Sequence, residues 1–314
     1  MKPFEIQKRI HSALTVYTIR KGIFLFVSLA AMVCGVLASL YFQFAYNSGM
    51  QTLMTVAALA VCIALTIVAL ILRSGELYTR CMLTAYASRV DTSSTHGGAA
   101  IKQQALQATQ QYIANKAAYK QAKAECKELL NGMVTNCTAF ERYANKGVIT
   151  ALCSMLLKYS CRSFADFAII DAVANGNNDI RKYGILSSTR WYKTYTTFTP
   201  SIAKAVMGVV APIVGAIIAA TVAGNMLESA LDITGATATL INGCMLCIAL
   251  QLILWSSNQG NLNKMAVTVI SPETPQPDFN ICTAFAEIST AYHNRCVEAG
   301  YMQPSAPPAA GQTQ

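Results

Sequence analysis

Four long apolar runs divide the 314-residue chain. They extend from Ile23 to Tyr46, from Thr52 to Leu72, from about Ile202 to Met226 and from Ile233 to Trp255. Each run has the roughly 20 residues that a helix needs to cross ~30 Å of hydrocarbon. Hydrophobic residues make up 54% of the chain and charged residues only 12%, which is too little charge to cover a soluble protein of this size. The sequence therefore predicts an all-α, polytopic membrane protein with four transmembrane helices.

The apolar runs come in two close pairs. Residues 47–51 separate the first two runs, and residues 227–232 separate the last two, so the sequence predicts transmembrane hairpins at 23–72 and 200–256. The first run is 24 residues long. A signal peptide has a shorter apolar core of roughly 7–15 residues, which argues against that alternative.

The distribution of Lys and Arg predicts the orientation in the membrane. Basic residues are frequent in segment 1–22 and between the second and third runs, whereas the two short turns contain none. We therefore expect an integral inner- or plasma-membrane protein whose N- and C-termini are cytoplasmic. The formal net charge of +9 reflects this asymmetry. No recognised basic module with interleaved aromatic residues indicates nucleic-acid binding.

The parts outside the apolar runs are expected to be helical. Segment 1–22 predicts a cytoplasmic amphipathic helix that lies on the inner leaflet or, as an equal alternative, packs on the cytoplasmic domain. Its apolar stripe consists of Ile6, Ile10, Leu14 and Tyr17. Residues 73–199 are interpreted as a cytoplasmic helical domain and residues 257–303 as a tail with one helix at 278–299, capped by Asp278. Residues 304–314 are expected to be disordered.

Within the cytoplasmic domain, residues 75–90 are expected to continue the second span, and helices are predicted at 99–130, 136–159 and 164–174. Ser163 is a candidate cap for the last of these. Residues 187–199 are interpreted as a linker into the third span. Aromatic residues at the membrane edges predict an interfacial belt. The candidates are Trp191, Tyr192, Tyr195, Phe198 and Trp255.

The predicted helix 99–130 carries a seam of mostly small residues at a coiled-coil period. The seam consists of Ile101, Ala105, Ala108, Tyr112, Asn115, Tyr119, Ala122, Cys126 and Leu129. Because isolated zippers prefer Leu and Ile at such positions, packing on a neighbouring helix of the same domain is favoured over pairing between chains. In a pairing between chains, Asn115 would help to fix the register.

The third span carries two ridges of small residues at four-residue spacing. Such residues let membrane helices approach closely, which predicts a helix-packing or oligomer interface. Its candidate residues are Gly208, Ala211, Pro212, Gly215, Ala219, Ala220, Ala223 and Gly224. One expected neighbour is the fourth span, and a second copy of the chain is a candidate for the other.

The sequence predicts no catalytic, cofactor or metal site, and hence no enzyme. The eleven cysteines lie in the spans or on the expected cytoplasmic side, where thiols stay reduced, and the three histidines are far apart. No phosphate-binding loop or catalytic signature occurs. Mild polar residues in or near the spans predict interhelical hydrogen bonds or, alternatively, a pore lining. These are Gln43, Thr55, Thr66, Thr221, Asn242 and Gln251.

The layout of two span pairs around a helical insert resembles the MotA, TolQ and ExbB class of proton-channel stator proteins. Ala211-Pro-Ile-Val-Gly215 and Thr221-Val-Ala-Gly224 are similar to the pore helix of that class, although the spacing differs by a couple of residues and the fourth span lacks the expected pattern. The resemblance implies an oligomer that surrounds a partner carrying the proton-binding carboxylate.

Two tight hairpins with helical cytoplasmic segments also resemble bacterial effectors that insert into a host membrane, such as the chlamydial inclusion proteins. A third hypothesis is a structural subunit of a secretion, conjugation or respiratory assembly. The function expected first is a non-enzymatic, oligomeric structural or channel-forming subunit of a membrane complex. Its expected partners are the lipid bilayer, further copies of the chain and other subunits. The alternative is the effector that recruits partners through its cytoplasmic domain.

Overall fold

The computed structural model describes residues 2–92, 97–136, 148–231, 235–256 and 259–303. For residues 131–136, 148–158, 227, 228 and 231 it describes only the backbone. Within these ranges the chain forms helices and no strand, which confirms the all-α prediction. The expected disorder of residues 304–314 and the part of the predicted helix 136–159 over residues 137–147 lie outside the described residues.

The described residues form ten helices. Their bounds are α1 Pro3–Phe44, α2 Ser48–Arg89, α3 Gly98–Thr109, α4 Lys116–Asn136, α5 Val148–Ala174, α6 Ile180–Leu231, α7 Gly235–Trp255, α8 Gln259–Ile270, α9 Phe279–Ile288 and α10 Thr290–Glu298. α2 extends well beyond the second apolar run, so the expected continuation over residues 75–90 is confirmed.

Four helical segments are long and apolar enough to cross a membrane. They are Pro3–Phe44, Ser48–Arg89, Ile180–Met226 and Gly235–Ile270. Each segment contains all or nearly all of one apolar run. The prediction of four candidate membrane helices is thereby confirmed by length and composition.

The chain divides into two compact units. The apolar unit contains His11–Tyr78 and Lys204–Asn258, and the polar unit contains Met1–Ile10, Thr79–Ala203 and Gln259–Gln314. In the polar unit α5 packs against α4 and α8, and α10 packs against α4 and α9. The side chains of Phe164 and Phe167 from α5 are fully buried in its core.

The N-terminal segment is the beginning of α1 and not a separate helix. All four residues of its predicted apolar stripe are buried within the protein, with Ile6 and Ile10 fully buried in the polar unit. In that unit, the Arg9 guanidinium donates to the carbonyl oxygen of Ala87 over 2.9 Å, and the Thr92 hydroxyl donates to the carbonyl oxygen of Arg9 over 3.0 Å. The structure thus favours the alternative in which this stripe packs on protein over the alternative of a leaflet-bound helix.

The predicted continuous helix over 99–130 is wrong. α3 ends at Thr109, and α4 begins at Lys116, where Asn115 acts as its N-cap. The Asn115 Oδ1 atom accepts hydrogen bonds from the backbone amides of Ala117 at 2.9 Å and Ala118 at 3.0 Å. Asn side chains compete with the helical backbone for hydrogen bonds, and this favours a helix start over a helix interior.

The single tail helix over 278–299 is also wrong in part. Asp278 caps α9 as predicted, since its side chain accepts from the backbone amide of Asn280. Ser289 then interrupts the helix with φ −131° and ψ 110°, and its hydroxyl oxygen accepts from the amide of Tyr292 at the start of α10.

Two further predictions are wrong. Ser163 lies inside α5 and does not cap a helix. The predicted linker 187–199, which leads into the third span, is part of the continuous helix α6. The aromatic residues of this stretch explain the helix. Trp191 stacks on Phe198 with ring centroids 4.7 Å apart and also contacts Phe167 at 5.4 Å. Because Trp191 and Phe198 are buried, they are core residues of the polar unit and not an interfacial belt.

Candidate functional site

The apolar unit contains a close-packed bundle of α1, α2 and α7. At its centre α2 and α7 contribute a cluster of buried residues, most of them small: Ala58, Cys62, Leu240, Cys244 and Cys247. Ala31, Met32 and Val36 of α1 pack against this cluster. In a membrane, where lipid offers no hydrophobic drive between helices, such close van der Waals contact is a main source of association.

Gly35 marks the closest approach in this bundle. A Cβ atom at this position would lie 2.5 Å from the Cβ atom of Ala58 and 3.2 Å from Cδ2 of Leu240. The first distance is shorter than carbon atoms tolerate, and Ala58 has no flexible end that moves away. Only glycine therefore fits at the meeting point of α1 with α2 and α7.

Gly243 has a similar role at the contact between α2 and α7. A Cβ atom there would lie 2.7 Å from Cδ1 of Leu59. Here the neighbouring atom is the end of a flexible side chain. The restriction on residue size is thus weaker than at Gly35.

Polar side chains link the three helices at two levels. The hydroxyl groups of Ser39 and Thr237 lie 2.8 Å apart. At the other level, the fully buried Gln251 donates through Nε2 to the hydroxyl oxygens of Ser28 at 2.8 Å and Thr66 at 3.2 Å. These contacts connect α1, α2 and α7, as expected for interhelical hydrogen bonds in an apolar environment.

Charged residues close the end of the bundle where α7 terminates. Glu76 accepts from Lys21 Nζ at 2.7 Å and from Arg20 at 3.1 Å. Lys21 also donates to the carbonyl oxygen of Trp255 at 3.3 Å, and Arg73 donates to that of Ile253 at 3.1 Å. The last carbonyl groups of a helix have no partner within it, so cations from α1 and α2 satisfy the end of α7.

The apolar half of α6, from Lys204 onwards, is covered far less. Its most apolar stretch is the least buried of the four candidate spans. On the first ridge of small residues, Ala211, Gly215 and Ala219 are exposed and Ala223 is half-buried. A Cβ atom added at Gly215 would meet no atom within 4 Å.

The second ridge of α6 faces the protein more closely. Gly208, Pro212 and Gly224 are half-buried and Ala220 is buried. At Gly208 the nearest neighbour of an added Cβ would be the Cβ atom of Ser256, at 3.7 Å. An added Cβ at Gly224 would meet no atom within 4 Å, so the second ridge is covered in part, whereas most of the first ridge is exposed.

The structure divides the predicted cytoplasmic seam between α3 and α4. Ile101, Ala105, Tyr119, Cys126 and Leu129 are buried, whereas Ala108 and Asn115 are exposed and Tyr112 and Ala122 are half-buried. The buried members lie on both sides of the break at Asn115. The seam is thus not one continuous stripe.

The most strongly buried charge of the polar unit is Asp171. Its carboxylate accepts from Arg190 Nη1, Ser187 Oγ and Asn175 Nδ2, each at 2.8 Å. Burial raises the pKa of Asp171, and the Arg190 guanidinium opposes this increase. Both carboxylate oxygens have donors from the chain itself, so the group stabilises the contact between α5 and α6.

Described cysteines of the polar unit lie in environments that suppress reactivity. Burial raises the pKa of Cys126 to about 12 and that of Cys296 to about 12. A thiol with such a pKa is protonated at neutral pH and is a poor nucleophile or metal ligand. Among the described residues no group of three or more His, Cys, Asp or Glu side chains is arranged to hold a metal ion.

Sequence reasoning missed the residues at which the bundle packs most closely. Gly35 and Gly243 are not among the sequence candidates, although each lies in a row of small residues at four-residue spacing, Ala31-Gly35-Ser39 on α1 and Thr239-Gly243-Cys247 on α7. Such a row is itself a signal of close helix packing. The ion pairs of Glu76 carried no periodic signal and depend on residues far apart in the chain.

Comparison with known proteins finds no matching family model, no similar curated protein and no similar solved structure.

Proposed function

We propose that the chain is a non-enzymatic, multi-pass membrane protein that acts as an oligomeric structural or channel-forming subunit of a membrane complex. In this proposal the four candidate spans form two hairpins, and both termini and the polar unit lie on the cytoplasmic side. The excess of Lys and Arg outside the spans supports this orientation.

The uncovered ridge of α6 is the observation that carries the proposal. Ala211, Gly215 and Ala219 expose small side chains along one line of a candidate span, and no atom lies near the position of a Gly215 Cβ. Small residues contribute little contact with lipid tails but allow another helix to approach closely. The ridge is thus suited to a helix from outside the chain.

The chemistry of the polar unit agrees with a structural role. Its buried carboxylate is paired, and its buried thiols have raised pKa values. These groups stabilise the helical packing. The proposal accordingly assigns the polar unit as a surface for other subunits of the complex.

The proposal is tested with the variant Gly215→Leu in the full chain. Leu would fill the space that a neighbouring helix needs, so we expect the oligomer to dissociate, with at least a tenfold loss of association. Native mass spectrometry from nanodiscs measures the number of copies per particle. The fold of each variant is checked by its circular dichroism spectrum.

Gly22→Leu is the matched control. Gly22 is also an exposed helical glycine whose added Cβ would meet no atom within 4 Å, but it is not on α6. The control variant should keep the wild-type oligomer. A Gly215→Leu protein that remains fully assembled would contradict the assignment of this ridge as an interface.

A further inference from the structure

Six polar side chains in or near the spans are candidates for interhelical hydrogen bonds, and one of them differs from the others in its hydrogen bonding. Gln43, Thr55, Thr66, Thr221 and Gln251 each make a hydrogen bond within the apolar unit. The carboxamide of Asn242 makes none to the residues that the structure describes. Asn242 is therefore the exception that needs a physical explanation.

Asn242 lies inside a candidate span and points away from the bundle. Its side chain is exposed, whereas its chain neighbour Ile241 is buried. At 1.5 Å per residue it lies about 10 Å along α7 from Gly235. One turn further along the same face, Leu246 is 55% exposed. The carboxamide of Asn242 thus lies on an exposed face of α7 that also carries an apolar side chain.

An unpaired carboxamide is unfavourable at such a place. Asn carries one acceptor oxygen and two N–H donors, and hydrocarbon supplies no partner for either. Thr239, on the same face, avoids this cost because its hydroxyl donates to the carbonyl oxygen of Gly235 over 2.8 Å. Among the described residues the carboxamide of Asn242 has no such partner.

We propose that Asn242 pairs with Asn242 of a second copy of the chain across a two-fold axis. A carboxamide is self-complementary, because its N–H group can donate to the oxygen of an identical group while its own oxygen accepts. A two-fold contact places the same residues of both copies opposite each other, and it therefore supplies the matching partner without any further sequence requirement.

The residues around Asn242 permit this contact. Gly235, Ala238 and Thr239 lie on the same side of α7 and are exposed or half-buried. Their small side chains allow a second α7 helix to approach closely enough for the carboxamides to meet. The inference rests on the proposed oligomer and adds the partner and the register of α7 against α7.

The test measures self-association of the full chain in lipid vesicles by energy transfer between donor- and acceptor-labelled copies at decreasing protein-to-lipid ratios. Asn242→Leu should weaken association about tenfold, which is in the range measured for strong interhelical polar contacts. Asn242→Gln keeps the carboxamide and should retain most of the association. Because Asn242 makes no side-chain hydrogen bond to the described residues, we expect the fold to be unchanged.

Thr239→Val is the matched control. It removes a hydroxyl one turn away on the same face, but that hydroxyl has its own acceptor in α7. Association of this variant should equal that of the wild type. If Asn242→Leu misfolds, Asn242→Ala replaces it, since the smaller side chain fits any environment that accommodates Asn.

The outcomes separate this inference from the proposed function. If Gly215→Leu dissociates the oligomer and Asn242→Leu does not, the pairing of Asn242 is wrong and the oligomeric subunit stands. If the wild type shows no self-association at any ratio, both fall. If Asn242→Leu releases a different protein while self-association persists, the second copy is the wrong partner.

Discussion

The bundle of α1, α2 and α7 and the apolar half of α6 have similar hydropathy but opposite surroundings. In the bundle, glycine meets a neighbouring helix at Gly35, and polar groups such as Gln251 are hydrogen-bonded across helices. In α6, glycine at Gly215 meets nothing. The comparison shows that small residues and apolar character make a helix able to associate, while the position of its neighbours decides whether it does so within one chain.

The difference also separates two kinds of stability. Contacts within the bundle contribute to the folding of a single chain. Contacts on the exposed ridge of α6 contribute only when another molecule is present, and their effect depends on concentration. Substitutions in the two regions should therefore affect different measurements.

The largest effect is expected for Gly35→Leu. The new side chain cannot fit between α1, Ala58 and Leu240, so the helices must separate. We expect the free energy of unfolding to fall by about 3 kcal/mol or more, as in severe overpacking. Unfolding by SDS titration of the detergent-solubilised protein measures the loss.

Gly22→Leu again serves as the control for that experiment, and its free energy of unfolding should remain close to that of the wild type. Equal destabilisation by the two variants would show that Leu at a glycine is harmful wherever it is placed. The close approach at Gly35 would then not be the cause.

A smaller effect is expected for Gly243→Ala. The added methyl group would lie 2.7 Å from Cδ1 of Leu59, which can rotate to another rotamer. The loss should be about 1 kcal/mol, since part of the clash is relieved at the cost of a side-chain rearrangement. The double variant Gly243→Ala with Leu59→Ala, measured by the same titration, should remove most of this interaction energy. An additive result would contradict the contact.

The smallest effect is expected for Ile217→Ala on α6. Ile217 is 61% exposed, so truncation creates no cavity within the chain, and the change in the free energy of unfolding should stay within about 0.5 kcal/mol. Thermal unfolding in detergent at low protein concentration provides the measurement. A loss of 2 kcal/mol, about the cost of a buried position, would place this face of α6 in the core of a single chain.

The four candidate spans could be predicted from the sequence because length and apolar composition act locally along the helix. The same holds for the cap at Asp278. Helix continuity was less predictable. Within a favourable helical pattern, the side chain of Asn115 caps the start of a new helix. Residues 187–199 form a helix because Trp191 and Phe198 pack on α5, and local β propensity does not reveal this packing.

The candidate residues on α6 were recognisable because small residues repeat along one helix. Small residues also repeat around Gly35, at Ala31 and Ser39, but the close contact at Gly35 depends on Ala58 and Leu240, which come from two other helices. A pattern within one segment reports what that segment can do. It does not report which residues of other helices will lie opposite that segment in the folded protein.

The charged end of the bundle has a consequence for the order in which the protein is made. Glu76 and Lys21 both exist once the second helix has left the ribosome. The carbonyl oxygens that Arg73 and Lys21 reach, at Ile253 and Trp255, are synthesised 180 and 234 residues later than the side chains that bind them. The side chains that bind the end of α7 are therefore translated long before the carbonyl groups that they bind, so this contact can form only after α7 has been made.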